Sequence, residues 1–142
     1  MGVANMDMLI KYALSWLGIP YIWGGQSRSG VDCSGLVQCI LQSVGASPAS
    51  DYSSHGLYLY FLTHGKVLSE PTAGAICFYG TEDRIIHVGF CMDDWRIIEA
   101  GSGNSKIKCV EDAKAANAFV RIRPITYRKD LYAIILPRYR FD

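Results

Sequence analysis

The chain has 142 residues and a mass of 15.7 kDa, half of it hydrophobic and 19% charged. That is the composition of one compact domain (residues 1–142) and excludes disordered, collagen-like and coiled-coil chains. Fourteen Lys and Arg against thirteen Asp and Glu leave a formal charge of +1, which gives no general attraction for nucleic acid or for an acidic substrate.

The N-terminal segment predicts an amphipathic helix: Asn5 is placed to cap it, Leu9, Tyr12, Ala13, Trp16 and Leu17 recur at helical spacing, and Gly18 and Pro20 end it. A glycine-rich loop from Trp23 to Gly30 leads to Asp32, which caps a second helix carrying Leu36, Val37, Ile40, Leu41 and Val44 and stopped by Gly45. Ser53 or Ser54 caps a third, weaker helix through Leu62, ended by Gly65. From Pro71 onward short β-rich runs follow: Ala75 to Tyr79, Ile85 to Cys91, Trp95 to Ala100, Lys106 to Val110, Phe119 to Ile122 and Leu131 to Leu136. Helices first and strands second predict an α+β fold, N-terminal helices on an antiparallel sheet of five to six strands. Between Phe119 and Asp142 five Arg and one Lys stand against two Asp. This stretch reads as the solvated face of closing strands, with wall-polymer, nucleic-acid or partner binding as the alternative.

No segment reaches the roughly 18 uninterrupted apolar residues of a bilayer span. Asp7 and Lys11 interrupt the place where a signal peptide would be apolar. The expectation is synthesis in a cytoplasm without membrane insertion. The five cysteines, Cys33, Cys39, Cys77, Cys91 and Cys109, are odd in number and include no C-x-x-C, which suits reduced, buried thiols.

Asp32-Cys33-Ser34-Gly35 places a thiol where free backbone N–H groups and the positive end of a helix dipole meet. A thiolate is favoured there, and thiolate is the form that attacks a carbonyl carbon. The same N–H groups, that of Cys33 foremost, are placed to hold the resulting oxyanion, and Gly35 is expected to keep bulk away from the thiol. The other four cysteines read as small buried hydrophobes. Of the three histidines, His55 and His64 flank the third helix, where surface roles suffice. His87 lies in a strand where Ile86, Val88 and Phe90 take one face, and His87, Gly89 and Cys91 take the other, with Gly89 leaving room for a backbone or ligand. If Met92-Asp93-Asp94 is a three-residue turn, Cys91 pairs with Trp95, and counting back along both strands brings His87 opposite Glu99. The Glu99 carboxylate then accepts the imidazole N–H and selects its tautomer. Zinc is disfavoured: His87 and Cys91 stand roughly 13 Å apart along their strand, too far to share one ion.

In four ordered blocks the sequence resembles the NlpC-type family of papain-like cysteine peptidases, which cut peptides of bacterial cell walls. The blocks are Gly18 to Gly25 (GIPYIWGG), Asp32 to Val37 (DCSGLV), Ala73 to Tyr79 (AGAICFY) and His87-Val88-Gly89. The resemblance implies Cys33 as nucleophile, His87 as base and Glu99 as third polar residue. It also implies that Tyr21 reaches the site to assist the oxyanion, a core aromatic being the alternative, and that Asp32 and Ser34 hold the free amine of a stem peptide. Two positions depart from the family pattern: Glu99 is charged where a neutral or imidazole side chain is common, and Ala75 stands where the family has Asp. The implied reaction is hydrolysis of the γ-D-glutamyl to diamino-acid bond through a thioester, with no cofactor and no metal. A phage-tail, lysis-delivered or larger-protein context is expected for a wall enzyme of this kind. An amidase or acyltransferase on the same site, or an inactive wall-binding or tail module, are the alternatives.

Overall fold

A computed structural model describes residues 5–141. Helix α1 (Met6–Leu14) opens on Asn5, whose Oδ1 accepts the Met8 N–H at 3.0 Å, and buries Leu9 and Ala13. It ends sooner than its apolar spacing predicts: Ser15 to Gly18 form turns, Gly18 takes a φ of +85°, and Leu17 is exposed. The glycine-rich loop contains a hairpin of two short strands, β1 (Gln26–Ser27) and β2 (Gly30–Val31).

Helix α2 (Cys33–Gln42) is the centre of the domain, buried continuously from Ser34 to Leu41. Its fully buried Gln38 amide donates to the Ser50 carbonyl at 3.0 Å and accepts the Tyr52 N–H at 2.8 Å. One side chain thereby satisfies the backbone of the loop leading to helix α3 (Ser54–Thr63), which Ser53 caps through the Gly56 N–H.

Six strands follow: β3 (Gly65–Leu68), β4 (Ile76–Thr81), β5 (Arg84–Cys91), β6 (Arg96–Ala100), β7 (Val120–Pro124) and β8 (Leu131–Pro137). They form one antiparallel sheet in the order β3-β8-β4-β5-β6-β7. One face, through Phe78, Val88, Phe90, Ile98 and Ile135, joins Leu36, Val37, Ile40, Leu57 and Phe61 of α2 and α3 in the main core. The other face buries Cys77, Tyr79, Cys91, Ile97 and Ile134 beneath Ile125 and Tyr127, which lie in a 3-10 turn after β7. The expected α+β class is the one observed.

Several local expectations change. Lys106 to Val110 is not a strand: Val110–Ala116 forms helix α4, favoured by Glu111 and Asp112 in its first turn and by its alanines, and Asn117 closes it with a left-handed φ of +52°. Strand β3 is a short edge strand with little alternation in its sequence. A register shift between Tyr79 and Gly80 moves Ile85 into the main core and leaves Ile86 half exposed, so Ile86 does not share the core face of Val88 and Phe90. Cys109 is exposed, unlike Cys39, Cys77 and Cys91.

Candidate active site

Cys33 is the first residue of α2. Asp32, the cap, accepts the Gly35 N–H at 2.7 Å on Oδ1 and the Gly24 N–H at 3.1 Å on Oδ2, tying the helix start to the glycine-rich loop. Gly35 is needed for that junction and not for space around the thiol: a Cβ there would lie 2.1 Å from the Gly25 carbonyl oxygen. Among the described residues the N–H groups of Cys33 and Ser34 have no hydrogen-bond acceptor, so the end of the helix presents two free donors. The Ser34 hydroxyl, itself buried, donates to Asp32 Oδ1 at 3.2 Å.

His87 is buried on β5, and its Nε2 lies 2.6 Å from Glu99 Oε1 on β6. Cys33 and His87 line one cleft of about 740 Å³. The Cys33 sulfur lies 3.2 Å from Ser54 Oγ, and the Cys33 side chain is also near enough to His87 to act on its charge. Burial works against a charged imidazole here, but the Cys33 side chain and the Glu99 carboxylate outweigh it and push His87 up to about 9. For Glu99, burial is likewise opposed and outweighed: His87, the Tyr127 hydroxyl and Arg123 hold its carboxyl below the usual carboxylate range.

The hairpin count reaches the right contact by the wrong register. Phe90 pairs with Ile98 and Cys91 with Ile97, because Asp93 accepts the N–H groups of Trp95 and Arg96 and holds a four-residue loop, leaving Trp95 outside the strand and exposed. The slip of two positions keeps Glu99 on the same face as His87, and the pair meets diagonally. Gly89 gives its space to the Ile97 side chain, whose Cδ1 would be 2.6 Å from a Cβ, and not to a ligand.

Tyr21 reaches the cleft from beneath: its ring is buried, packed on Gly103 in the loop after β6, and burial followed by the nearby Cys33 and Asp32 charges raises its hydroxyl, which stays protonated. Asp32 and Ser34 also line the wall, so five of the six residues expected from sequence line one cleft, and the sixth, Glu99, lies buried against His87. Sequence reasoning misses Tyr127, whose hydroxyl donates to Glu99 Oε1 and lies 3.2 Å from His87 Nε2, and Arg123, whose Nε stands 3.4 Å from Glu99 Oε2. No sequence signal links either residue to β6. Arg123, with its Nε buried beside Glu99, is thereby drawn out of the expected solvated face, while Arg128 and Asp130 pair at 2.8 Å and stay partly exposed. His55 has a structural task, its Nδ1 accepting the Ile85 N–H at 3.0 Å at the start of β5. Exposed His64 stacks on Tyr60.

Residues 18–123 match the NlpC/P60 family. The chain belongs to that family. Relatives include the probable peptidoglycan endopeptidase LytE of Bacillus subtilis, 29% identical over 77% of this chain and 31% of its own length. The gamma-D-glutamyl-L-lysine dipeptidyl-peptidase of the same organism is 29% identical over 70% of this chain and 33% of its own. A probable endopeptidase of Mycobacterium bovis is 44% identical over 72% of this chain and 25% of its own. The chain thus spans a quarter to a third of the length of these relatives. The NlpC/p60 domain of the peptidoglycan hydrolase SagA has the same fold, with a TM-score of 0.68 at 19% identity, covering 92% of this chain and 97% of that domain. The P60 domain of a Mycobacterium avium subspecies paratuberculosis antigen gives a TM-score of 0.66 at 22% identity, covering 96% and 98%. Among the described residues no helix is long and apolar enough to cross a membrane.

Proposed function

We propose that this domain is a cysteine peptidase that hydrolyses an amide bond of peptidoglycan stem peptides, the γ-D-glutamyl to diamino-acid bond being the substrate linkage. The observation that carries the reading is that Cys33 and His87 line one cleft while the buried Glu99 holds Oε1 2.6 Å from His87 Nε2. The choice of linkage rests on the relative named as a gamma-D-glutamyl-L-lysine dipeptidyl-peptidase.

With Nε2 engaged by Glu99, Nδ1 is the ring nitrogen of His87 left to serve the thiol. Cys33 thiolate attacks the carbonyl carbon, forming the C–S bond and moving the carbonyl π electrons onto oxygen. The free N–H groups of Cys33 and Ser34, with the protonated Tyr21 hydroxyl at the cleft wall, are the donors available to that oxyanion. On collapse the C–N bond breaks and the leaving amine takes the Nδ1 proton of His87. Water then gives a proton to Nδ1 as it attacks the thioester. The C–S bond breaks, the acid leaves, and thiolate and imidazolium return. Asp32, whose two oxygens already serve three donors, retains acceptor capacity for the substrate's free amine, with Ser34 orienting the carboxylate.

Mass spectrometry of muropeptides digested by the protein and by its Cys33→Ala variant tests the proposal. New amino termini on the diamino acid, formed only by the unmutated protein, are the expected result. New lactyl carboxylates would identify an amidase, and unaltered muropeptides a non-catalytic module. The proposal includes a phage-associated or lysis-released setting, for which clearing of intact cells by externally added protein is the expected sign.

A further inference from the structure

Glu99 is fully buried, and its carboxylate is confined on every side. Oε1 receives both His87 Nε2 and the Tyr127 hydroxyl. Oε2 has no hydrogen bond: Gly101 backs onto it, a Cβ there being 2.4 Å away, and its charge partner is Arg123 Nε at 3.4 Å, itself buried and without a hydrogen bond. The Arg123 guanidinium also lies over the Tyr127 ring, 4.9 Å from its centroid, so the two residues brace one another. A buried carboxylate facing only an imidazole can discharge itself by taking the Nε2 proton, leaving a neutral acid beside a neutral ring. A hydroxyl donor on one oxygen and a guanidinium beside the other oppose that transfer, because both favour the anion.

We propose that Tyr127 and Arg123 are positioning residues that keep Glu99 ionised, and so keep the positive charge of His87 opposite Cys33. This rests on the assignment of Cys33 and His87 under the proposed function and adds two residues to that machinery. The charged and titratable groups around the pair are Cys33 from α2, Tyr79 from β4 with its ring 5.7 Å from that of His87, Arg123 from β7, Tyr127 from the 3-10 turn, and the Arg128–Asp130 ion pair ahead of β8. The last two charges offset one another, and Arg121, the register partner of Glu99 on β7, gives its guanidinium to the Phe119 and Asn117 carbonyls, which leaves Arg123 as the cation directed at Glu99.

The test is the pH dependence of Cys33 alkylation by iodoacetamide, followed at the Cys33 peptide by mass spectrometry so that exposed Cys109 does not interfere. The unmutated protein supplies the reference midpoint. Arg123→Gln is expected to raise that midpoint by about one pH unit and Tyr127→Phe by less, since either change moves the shared proton toward Glu99. Arg123→Lys, which retains the charge, is expected to restore most of the shift. In turnover assays Arg123→Gln is expected to lower kcat by about tenfold with KM unchanged, because Arg123 lies behind Glu99 and away from the cleft. Unchanged midpoints in the variants, beside Cys33-dependent turnover in the unmutated protein, overturn the role of Tyr127 and Arg123 alone. Muropeptide cleavage by Cys33→Ala as fast as by the unmutated protein overturns the Cys33 assignment and this proposal together. Should Arg123→Gln fail to fold, Tyr127→Phe, which retains the packed ring, decides the question.

Discussion

His87 and Glu99 meet Nε2 to Oε1 at 2.6 Å although neither faces the other directly across the β5–β6 ladder. The paired positions nearest them are Phe90 with Ile98 and Cys91 with Ile97. Continued at that register, Glu99 would stand opposite Gly89. The carboxylate instead leans diagonally to His87, and the space a Cβ at Gly89 would take is filled by the Ile97 side chain.

Replacing Cys33 with Ala should reduce muropeptide hydrolysis by at least about a thousandfold while the melting temperature stays near that of the parent, because the half-buried thiol adds little to the core. Cys39→Ala, in the buried face of α2, should show the reverse balance: activity largely intact and a modest loss of stability. Kinetics and thermal melts of the two variants side by side check this.

Glu99→Gln should retain part of the rate, since the carboxamide oxygen still accepts from Nε2 and keeps the ring oriented. The loss of charge should cost about ten- to a hundredfold in kcat. The alkaline limb of the pH–rate profile, set by His87 at about 9, should move down toward the ordinary imidazole value of 6.5. An unmoved alkaline limb would separate Glu99 from the ionisation of His87.

The same pair predicts the pH dependence of folding stability. His87 is raised in the folded protein, so its contribution is fully present below about 6.5 and is lost as pH rises through about 9. Glu99 is lowered, so its contribution is present above its ordinary value of 4.5 and is lost as pH falls through its lower folded value. Chemical denaturation across pH should find the pair's full contribution between about 4.5 and 6.5, with the alkaline decline absent in His87→Gln.

Gly101→Ala should destabilise the protein by about 1–3 kcal/mol and lower activity, because the new methyl would press on Glu99 Oε2 from 2.4 Å in a site that has no room to relax. Urea denaturation and the rate of muropeptide cleavage report the two effects.

Gln38→Leu should cost about 2–4 kcal/mol, since the Ser50 carbonyl and the Tyr52 N–H lose their buried partner. Because that amide holds the loop ahead of Ser54, KM should rise as well, as steady-state kinetics would reveal.

The local features of this domain were determined by the sequence itself. Asn5, Asp32 and Ser53 cap helices where their side chains suit that task, and Cys33 follows its cap by one position. The alternation of β5 and β6 assigns His87 and Glu99 to a common face, a property that survives a two-residue error in the turn because side-chain direction repeats every second residue. Other features depend on contacts between segments distant in the chain, and these the tertiary structure decided. Strand β8 inserts between β3 and β4, Gly103 packs on Tyr21, and the turn after β7 brings Tyr127 and Arg123 to Glu99. Caps and alternation are settled within a few residues by backbone hydrogen bonding and side-chain direction. Which distant side chain reaches a buried carboxylate is settled only when the whole core packs and every charge inside it must find a partner.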